Sequence, residues 1–565
     1  MKFSEMPYKR PDFDALYNQM KALLEDMEKA PTAEDFFKAM EALDKVGRNL
    51  GTQQTLAYIR NTINTKDPFY SAEKDVMDEA LPRFAEISTQ AARITLESPH
   101  KAAVAKKYGE HLLEKYKVKL DTFRPEILDD LVEENKLKSE YQRLMASAEI
   151  EFEGETRNLS GMIPFMESKD RDMRRRASAA SWGWIAQHQE ALDTLYDKLV
   201  KLRHGIGQKM GYDSFIPVAY ARMGRTDWTM EDARVYREQI VKHVVPLAQK
   251  LYQEQAKRIG IDDMKFYDYS LMFLSGNPTP KGEEPYMVAQ AKEMYQALSP
   301  ETEEFFGVMT SQELMDLTTK PGKANGGYMT FLADYKVPFI FSNFNGTSGD
   351  VDVLTHEAGH AFQGFLQRET ELMDLAEYTS EVAEIHSMSM EYFTHPWMAS
   401  FFKEDSEKYY YAHVAEAIQF LPYGASIDEF QEWVYLNVDA TPQERRAKYR
   451  EIEKKFLPHL DYDGLAFLEN GGRWQKQLHV YLYPFYYLDY TLSQVCAFQY
   501  FNWDRKDHDK AWASYLKLCR DSGRIPFKKL VPAAGLLSPF EEGTIAKITP
   551  ELEQYLDGLD KSKVR

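Results

Sequence analysis

A chain of 565 residues with 89 acidic against 70 basic side chains, a formal charge of −19, is unsuited to holding nucleic acid or an anionic membrane. Two cysteines, Cys496 and Cys519, exclude a disulfide scaffold and fit a reducing compartment, so a metal site would draw on histidine and carboxylate. No apolar run approaches the ~18 residues of a membrane helix and the start, MKFSEMPYKRPDFDAL, lacks a secretory core; the chain reads as cytosolic.

Apolar residues recur three or four apart over 13–27, 77–94 and 127–145, which predicts long amphipathic helices in the N-terminal third. Breaks are expected at Pro31, the Ser98-Pro99 step and Pro125. Residues 149–153, EIEFE, alternate strictly. With Gly154 as a turn and the apolar run 162–166 behind it, they predict a small β-hairpin within 149–166. A second break, ANGGYMTFLADYKVPFIFSNFNG at 324–346, predicts two short strands around a turn. Pro338 cannot donate to a ladder, so the second strand is expected at a sheet edge. The stretch TSGDVDVLTHEAGHAFQGFL follows as a helix, with Ser348 and Asp350 as capping residues. The expected fold class is mainly α, with a small β-sheet beside one motif-bearing helix.

That helix carries His356-Glu357-Ala358-Gly359-His360. Histidines four apart share a helix face, so both imidazoles can reach one ion, while Glu357 stands one step round, free to take a proton from water at the ion. The flanking Val353, Leu354, Thr355, Ala361 and Phe362 are uncharged, as a buried metal helix requires; a helix with two solvated histidines is the competing reading. Gly359 costs about 1 kcal/mol against alanine inside a helix, which points to close approach of another backbone, with the neighbouring strand as the candidate. A catalytic zinc needs a third ligand. Glu381, Glu384 and Glu391 in TSEVAEIHSMSMEYF lie three and seven apart on one face and are candidates, although the same spacing suits a solvated face. His386 points elsewhere. Downstream, LHVYLYPFYYLDYTLSQ at 478–494 gathers His479, Tyr483, Tyr486, Tyr487 and Tyr490, donors suited to a developing oxyanion, although such a stripe also suits an aromatic core. The preceding Glu469-Asn470-Gly471-Gly472 reads as a mobile loop.

HEAGHAF, EIHSMSME and HVYLYPFYYLDY together resemble the M3 zinc peptidases of the oligoendopeptidase F and thimet oligopeptidase group, on the oligoendopeptidase F side with its Pz-peptidase-like enzymes. The resemblance is strongest over 320–500. It implies His356, His360 and Glu384 as ligands of one zinc ion per chain, Glu384 being chosen because Ser387 and Glu391 complete the family's frame. It further implies that Glu391 orients a ligand histidine, that Tyr487 and Tyr490 match a family tyrosine pair, and that Tyr490 donates to the oxyanion beside His479. His479 is offset by one residue from its place in the thimet branch, and Tyr483 fits only one branch's spacing. The implied body is bilobed around a deep channel, with an N-terminal helical lobe over 1–200 and a catalytic lobe over 201–565. Such a channel admits short unfolded peptides, and the strand at 337–341 is expected to pair with their backbone. Rival readings are a helical zinc carboxypeptidase and a non-catalytic helical peptide-binding scaffold. Partners are expected to be short peptides, with neither nucleic acid nor membrane.

Overall fold

Two side-chain caps open the fold. The Asp12 carboxylate accepts from the Ala15 N–H (3.0 Å) and the Thr32 hydroxyl from the Asp35 N–H (3.2 Å), pairing donors that no helical carbonyl reaches. The helices they start are α1 (Phe13–Glu28) and α2 (Ala33–Ile63), parted at Pro31. The single helix expected over 77–94 is two, α3 (Pro68–Ala80) and α4 (Pro82–Glu97), since a proline at 82 brings no amide to the ladder. Ser98, extended before Pro99, ends α4. Pro125 opens a 3₁₀ turn that leads into α5 (Leu128–Ala146). The computed structural model describes residues 1–324 and 326–564, and 69% of it is helical.

The expected hairpin is present but shorter. β1 (Ile150–Phe152) pairs antiparallel with β2 (Glu155–Arg157) through Glu153 and Gly154, both at positive φ (51° and 79°), a two-residue turn whose twist matches the strands. The return strand therefore begins at once. The run at 162–166 instead forms a 3₁₀ and a helical turn, where Pro164 could not have served a ladder.

The second sheet holds β3 (Met315–Thr318), β4 (Tyr328–Leu332) and β5 (Val337–Phe344) in the order β3-β5-β4. β5 is thus the central strand, and the edge expected there is corrected. Ile340 donates to the Leu314 carbonyl (3.0 Å), so Pro338, two residues earlier and of the same parity, turns its nitrogen toward β3 before β3 begins. No ladder bond is lost, which is how a proline enters a central strand. β3 carried no sequence signal strong enough to foresee.

Beyond the sheet come α6 (Gly349–Leu366), α7 (Ser380–Phe393), α8 (Ser406–Leu436), α9 (Pro442–Phe456), α10 (Tyr487–Asp504) and α11 (His508–Asp521). Ser348 precedes α6 but makes no capping bond with its side chain. The Asp350 carboxylate accepts instead from the Asn345 and Gly346 amides (2.9 and 2.7 Å), pinning the β5–α6 loop. Met20, Phe36, Ile87 and Leu112 belong to a small core among the N-terminal helices, closed by Leu372 and Leu375. A large core takes Phe339, Ile340 and Phe341 of β5, Leu354 and Phe362 of α6 and Ile385 of α7. At ~1.5–3 kcal/mol for each such side chain buried, the motif helix is anchored on the larger of the two cores. Among the described residues no helix is long and apolar enough to cross a membrane.

Candidate metal centre

The four-residue spacing on α6 brings the His356 and His360 rings to 5.0 Å, nearly perpendicular. One turn into α7, the Glu384 carboxylate meets both: its Oε2 lies 3.2 Å from His356 Nε2 and 3.6 Å from His360 Nε2. Ligand atoms of His356, His360 and Glu384 all lie within 4.8 Å of one another, the only such group of three found among the described residues. Glu381 is elsewhere, fully buried and accepting from Trp228 Nε1 (2.9 Å). His386 also turns away, hydrogen-bonded to the Ser522 hydroxyl (2.8 Å).

Gly359 explains how α6 and α7 come so near. A Cβ there would lie 2.7 Å from both the His386 carbonyl oxygen and the Ser387 Cα. Close approach of another backbone is what the sequence pointed to, but the neighbour is the second helix, not a strand. Ser387 then donates to Glu384 Oε2 (2.9 Å), and Glu391, a further turn on, holds His356 Nδ1 at 2.6 Å. An acceptor on Nδ1 fixes a proton there, so Nε2, which faces Glu384, is the nitrogen that a metal would take in place of its proton.

The electrostatics of the group fit a cation. Burial raises the Glu384 carboxyl, but hydrogen bonds from His356 and His360 outweigh it and hold the group well below the usual carboxylate range. Burial opposes the His356 imidazolium, yet Glu384 and Glu391 raise it well above its ordinary value. Two acidic groups thus hold a proton on an imidazole where a divalent ion would supply the balancing charge.

Glu357 is 9% exposed, and burial raises its carboxyl above the ordinary glutamate value against the pull of His356 and His360 and of the Met329 amide. That Met329 contact orients the sheet. Met329 turns its N–H away from β5 toward Glu357, and by alternation Phe331 does the same, so the outer edge of β4 runs beside the cluster. The strand at 337–341 cannot serve a substrate, because both its sides are taken.

The tyrosine segment reaches the cluster through α10. The Ser493 hydroxyl donates to the Glu381 carbonyl (2.6 Å) and Gln494 Nε2 to the Tyr392 hydroxyl (3.0 Å), clamping α10 on α7. Tyr490 and Tyr486 both feel the Glu384 charge. After burial, that repulsion contributes to pushing Tyr486 up to about 12 and Tyr490 higher still, so both stay protonated donors. Tyr487 turns toward Phe420 and Tyr423 of α8 (5.6 and 5.7 Å between rings) while staying 5.9 Å from Tyr490. The His479 ring stands among Tyr486, Tyr487 and Tyr490 at 5.4, 5.0 and 5.9 Å. Tyr423 donates to Gln477 Oε1 (3.0 Å), whose amide nitrogen bonds His479 Nδ1 (2.8 Å). His479 Nδ1 therefore accepts and Nε2 carries the proton, while burial lowers the imidazolium and keeps the ring neutral. Tyr483 points outward, 51% exposed. The stretch before it is not a loose loop: a Cβ on Gly471 would lie 2.0 Å from the Arg446 carbonyl on α9, and Arg450 holds Glu469 at 3.0 Å. Gln477 and Tyr423 were missed from sequence, since nothing local marks a tautomer-setting amide.

Similarity to known proteins agrees with this geometry. The peptidase M3 N-terminal domain model matches residues 3–123, and the peptidase family M3 model matches 164–515. Oligopeptidase PepF of Bacillus subtilis is 22% identical over 508 residues, covering 83% of this chain and 72% of that protein. Among solved structures, Pz peptidase A with an inhibitor superposes with a TM-score of 0.93 at 47% identity over 100% of both chains. A structure described as an oligoendopeptidase F from Bacillus anthracis gives 0.88 at 43%, over 100% of this chain and 99% of that one. A family model that spans the sheet, both cluster helices and the tyrosine segment settles the kinship: the chain belongs to peptidase family M3 and is a metallopeptidase.

Proposed function

We propose that this metallopeptidase is a zinc oligoendopeptidase, cutting internal bonds of short unfolded peptides, with one zinc ion held by His356, His360 and Glu384. The observation that carries the reading is the cluster itself, three ligand atoms within 4.8 Å on two helices locked at Gly359. Zinc, when bound there, polarises the scissile carbonyl and lowers the pKa of a water toward ~7. Glu357 takes a proton from the attacking water and returns it to the leaving amine. Its buried setting, which favours the protonated form, suits a group that must both accept and give a proton. Tyr490 donates its hydroxyl to the carbonyl oxygen as charge builds, with Tyr487 beside it and the neutral His479 Nε2–H as a second donor.

An extended peptide would add to the outer edge of β4, using the N–H and C=O of Phe331, in place of the pairing first expected at 337–341. Strand addition needs an unfolded substrate. The separate core within residues 20–116 supports a smaller body apart from the catalytic one, while Leu137, Tyr141, Tyr196 and Leu199 share the large core with the metal helices. A division near residue 200 with a channel between the lobes belongs to the proposal without support from that core. The oligopeptidase and Pz-peptidase relatives favour peptides as partners, and two buried thiols suit the cytoplasm.

Digestion of peptides blocked at both ends, with every cut mapped by mass spectrometry, tests the reading. Internal cuts abolished by a chelator are expected. Release of C-terminal residues alone, from free-ended peptides only, would favour the carboxypeptidase. A chain that binds peptides without cutting them would be the scaffold.

A further inference from the structure

Glu391 holds more than one imidazole. Its Oε1 meets His356 Nδ1 at 2.6 Å, and its Oε2 meets His413 Nε2, from α8, at 2.7 Å. A carboxylate only accepts, so both imidazole nitrogens carry protons and the carboxylate is fixed at both ends. His413 Nδ1 in turn lies 2.9 Å from His395 Nε2. His395 Nδ1 has no partner and is buried. Of the two ways to place the shared proton, donation from His395 leaves that orphan nitrogen bare, whereas the reverse leaves an N–H buried without an acceptor. The first is the cheaper arrangement, and it aims the His413 Nε2–H at Glu391.

The helices match in register. On α8, Tyr409 and His413 lie four apart; on α6, Asp352 and His356 do too. The Tyr409 hydroxyl donates to Asp352 (2.7 Å), one turn before the point where His413 reaches His356 through Glu391. The Tyr409 and His413 rings are stacked at 5.4 Å and 12°, and Tyr392 of α7 packs against the His413 ring at 4.9 Å. His413 therefore has little freedom to release Glu391.

We propose that His413 is a positioning residue for the metal. Acting from α8 through Glu391, it fixes the orientation and tautomer of His356, and the His395 ring behind it selects the nitrogen that faces Glu391. This rests on the zinc reading above and assigns a determinant of metal affinity to a helix that contributes no ligand. Groups of this kind typically change metal affinity 10–100-fold when removed.

The test is chelator-competition measurement of the zinc dissociation constant for the full chain and two variants. His413→Phe keeps a flat ring against Tyr409 but loses both nitrogens; His413→Gln keeps an N–H for Glu391. The constant should rise about 10–100-fold in the first and only a few-fold in the second. A role in packing alone would instead lower the unfolding temperature of the zinc-free chain and leave the constant unchanged. An unchanged constant in His413→Phe, or a His413→Gln variant as weak as His413→Phe, overturns the proposal. Should His413→Phe not fold, nitrogen-15 histidine spectra of the wild-type chain decide: a downfield Nε2 proton, lost in His413→Gln, is expected, and its absence overturns the proposal. A wild-type chain that binds no zinc would overturn the metal reading first and this inference with it. Tight wild-type zinc beside an unaffected His413→Phe would overturn this inference alone.

Discussion

The candidate metal ligands stand on two unbroken helices pressed together at Gly359, whereas the donors proposed for the carbonyl oxygen hang from a broken stretch between Gln477 and Tyr490. In the first, the ligands themselves come from a spacing of four on α6 and one turn of α7, and distant chain enters only behind them, where α10 clamps α7 and His413 holds Glu391. In the second, Phe485 is held at φ 68°, an unfavourable value for a large side chain. Arg225 donates to the Phe485 carbonyl (2.8 Å) and to Asp489 (2.6 Å), Gln431 accepts from the Phe485 amide (3.1 Å), and Arg203 donates to the Tyr481 carbonyl (2.6 Å). Those supports come from far along the chain. A site can thus be rigid for two reasons, and the two should fail differently when cut.

The harshest cut is at the ligands. His356→Ala or Glu384→Ala should lose both metal and turnover, read by metal analysis beside peptide hydrolysis. Next comes Glu357→Gln, with kcat down roughly 100- to 10,000-fold and metal content unchanged; near-normal turnover would sink its assignment. Tyr490→Phe, on the supported side, should lower kcat by roughly 100- to 1,000-fold with zinc affinity intact. A matching loss of zinc would mean that the two halves are not separable.

Gly359→Ala breaks the first half through packing instead of chemistry. The added methyl meets the His386 carbonyl oxygen and Ser387 Cα at 2.7 Å and the Met390 Cβ at 3.0 Å, so a destabilisation of about 1–3 kcal/mol is expected, with weaker zinc binding as α7 is pushed off α6. Thermal unfolding with and without zinc reads both. The smallest effect is at His479. Its burial lowers the imidazolium below the ordinary 6.5, so the unfolded chain takes up the proton first as pH falls. Stability from the neutral ring is present above pH 6.5 and lost below it. At pH 7.5, His479→Gln, which keeps an N–H, should retain more activity than His479→Ala, and an equal loss in both would remove His479 from the donors.

The same contrast governs what the sequence disclosed. The helices over 13–27 and 127–145, the turn at Gly154 and the pair His356 and His360 on one face of α6 are local patterns and stand close to where periodicity and spacing put them, whereas the helix expected over 77–94 is split at Pro82. The choice of Glu384 over Glu381 was not local. It needed the family frame, and in the structure it turns on Trp228, 153 positions before Glu381, engaging the wrong candidate. Pro338 misled because a proline's missing amide says which bond is absent, not whether a neighbour was there to receive it. Gly359 signalled a close backbone correctly but could not say that it was a helix. Gln477, Tyr423 and His413 were invisible, being ordinary residues whose roles exist only across tertiary contacts.

Metal content of the purified chain, set against hydrolysis of a peptide blocked at both ends before and after exhaustive chelation, tests the central claim most directly. One zinc per chain is expected, with internal cleavage that stops on chelation and returns on adding zinc. Undiminished cleavage by a metal-free chain would contradict it.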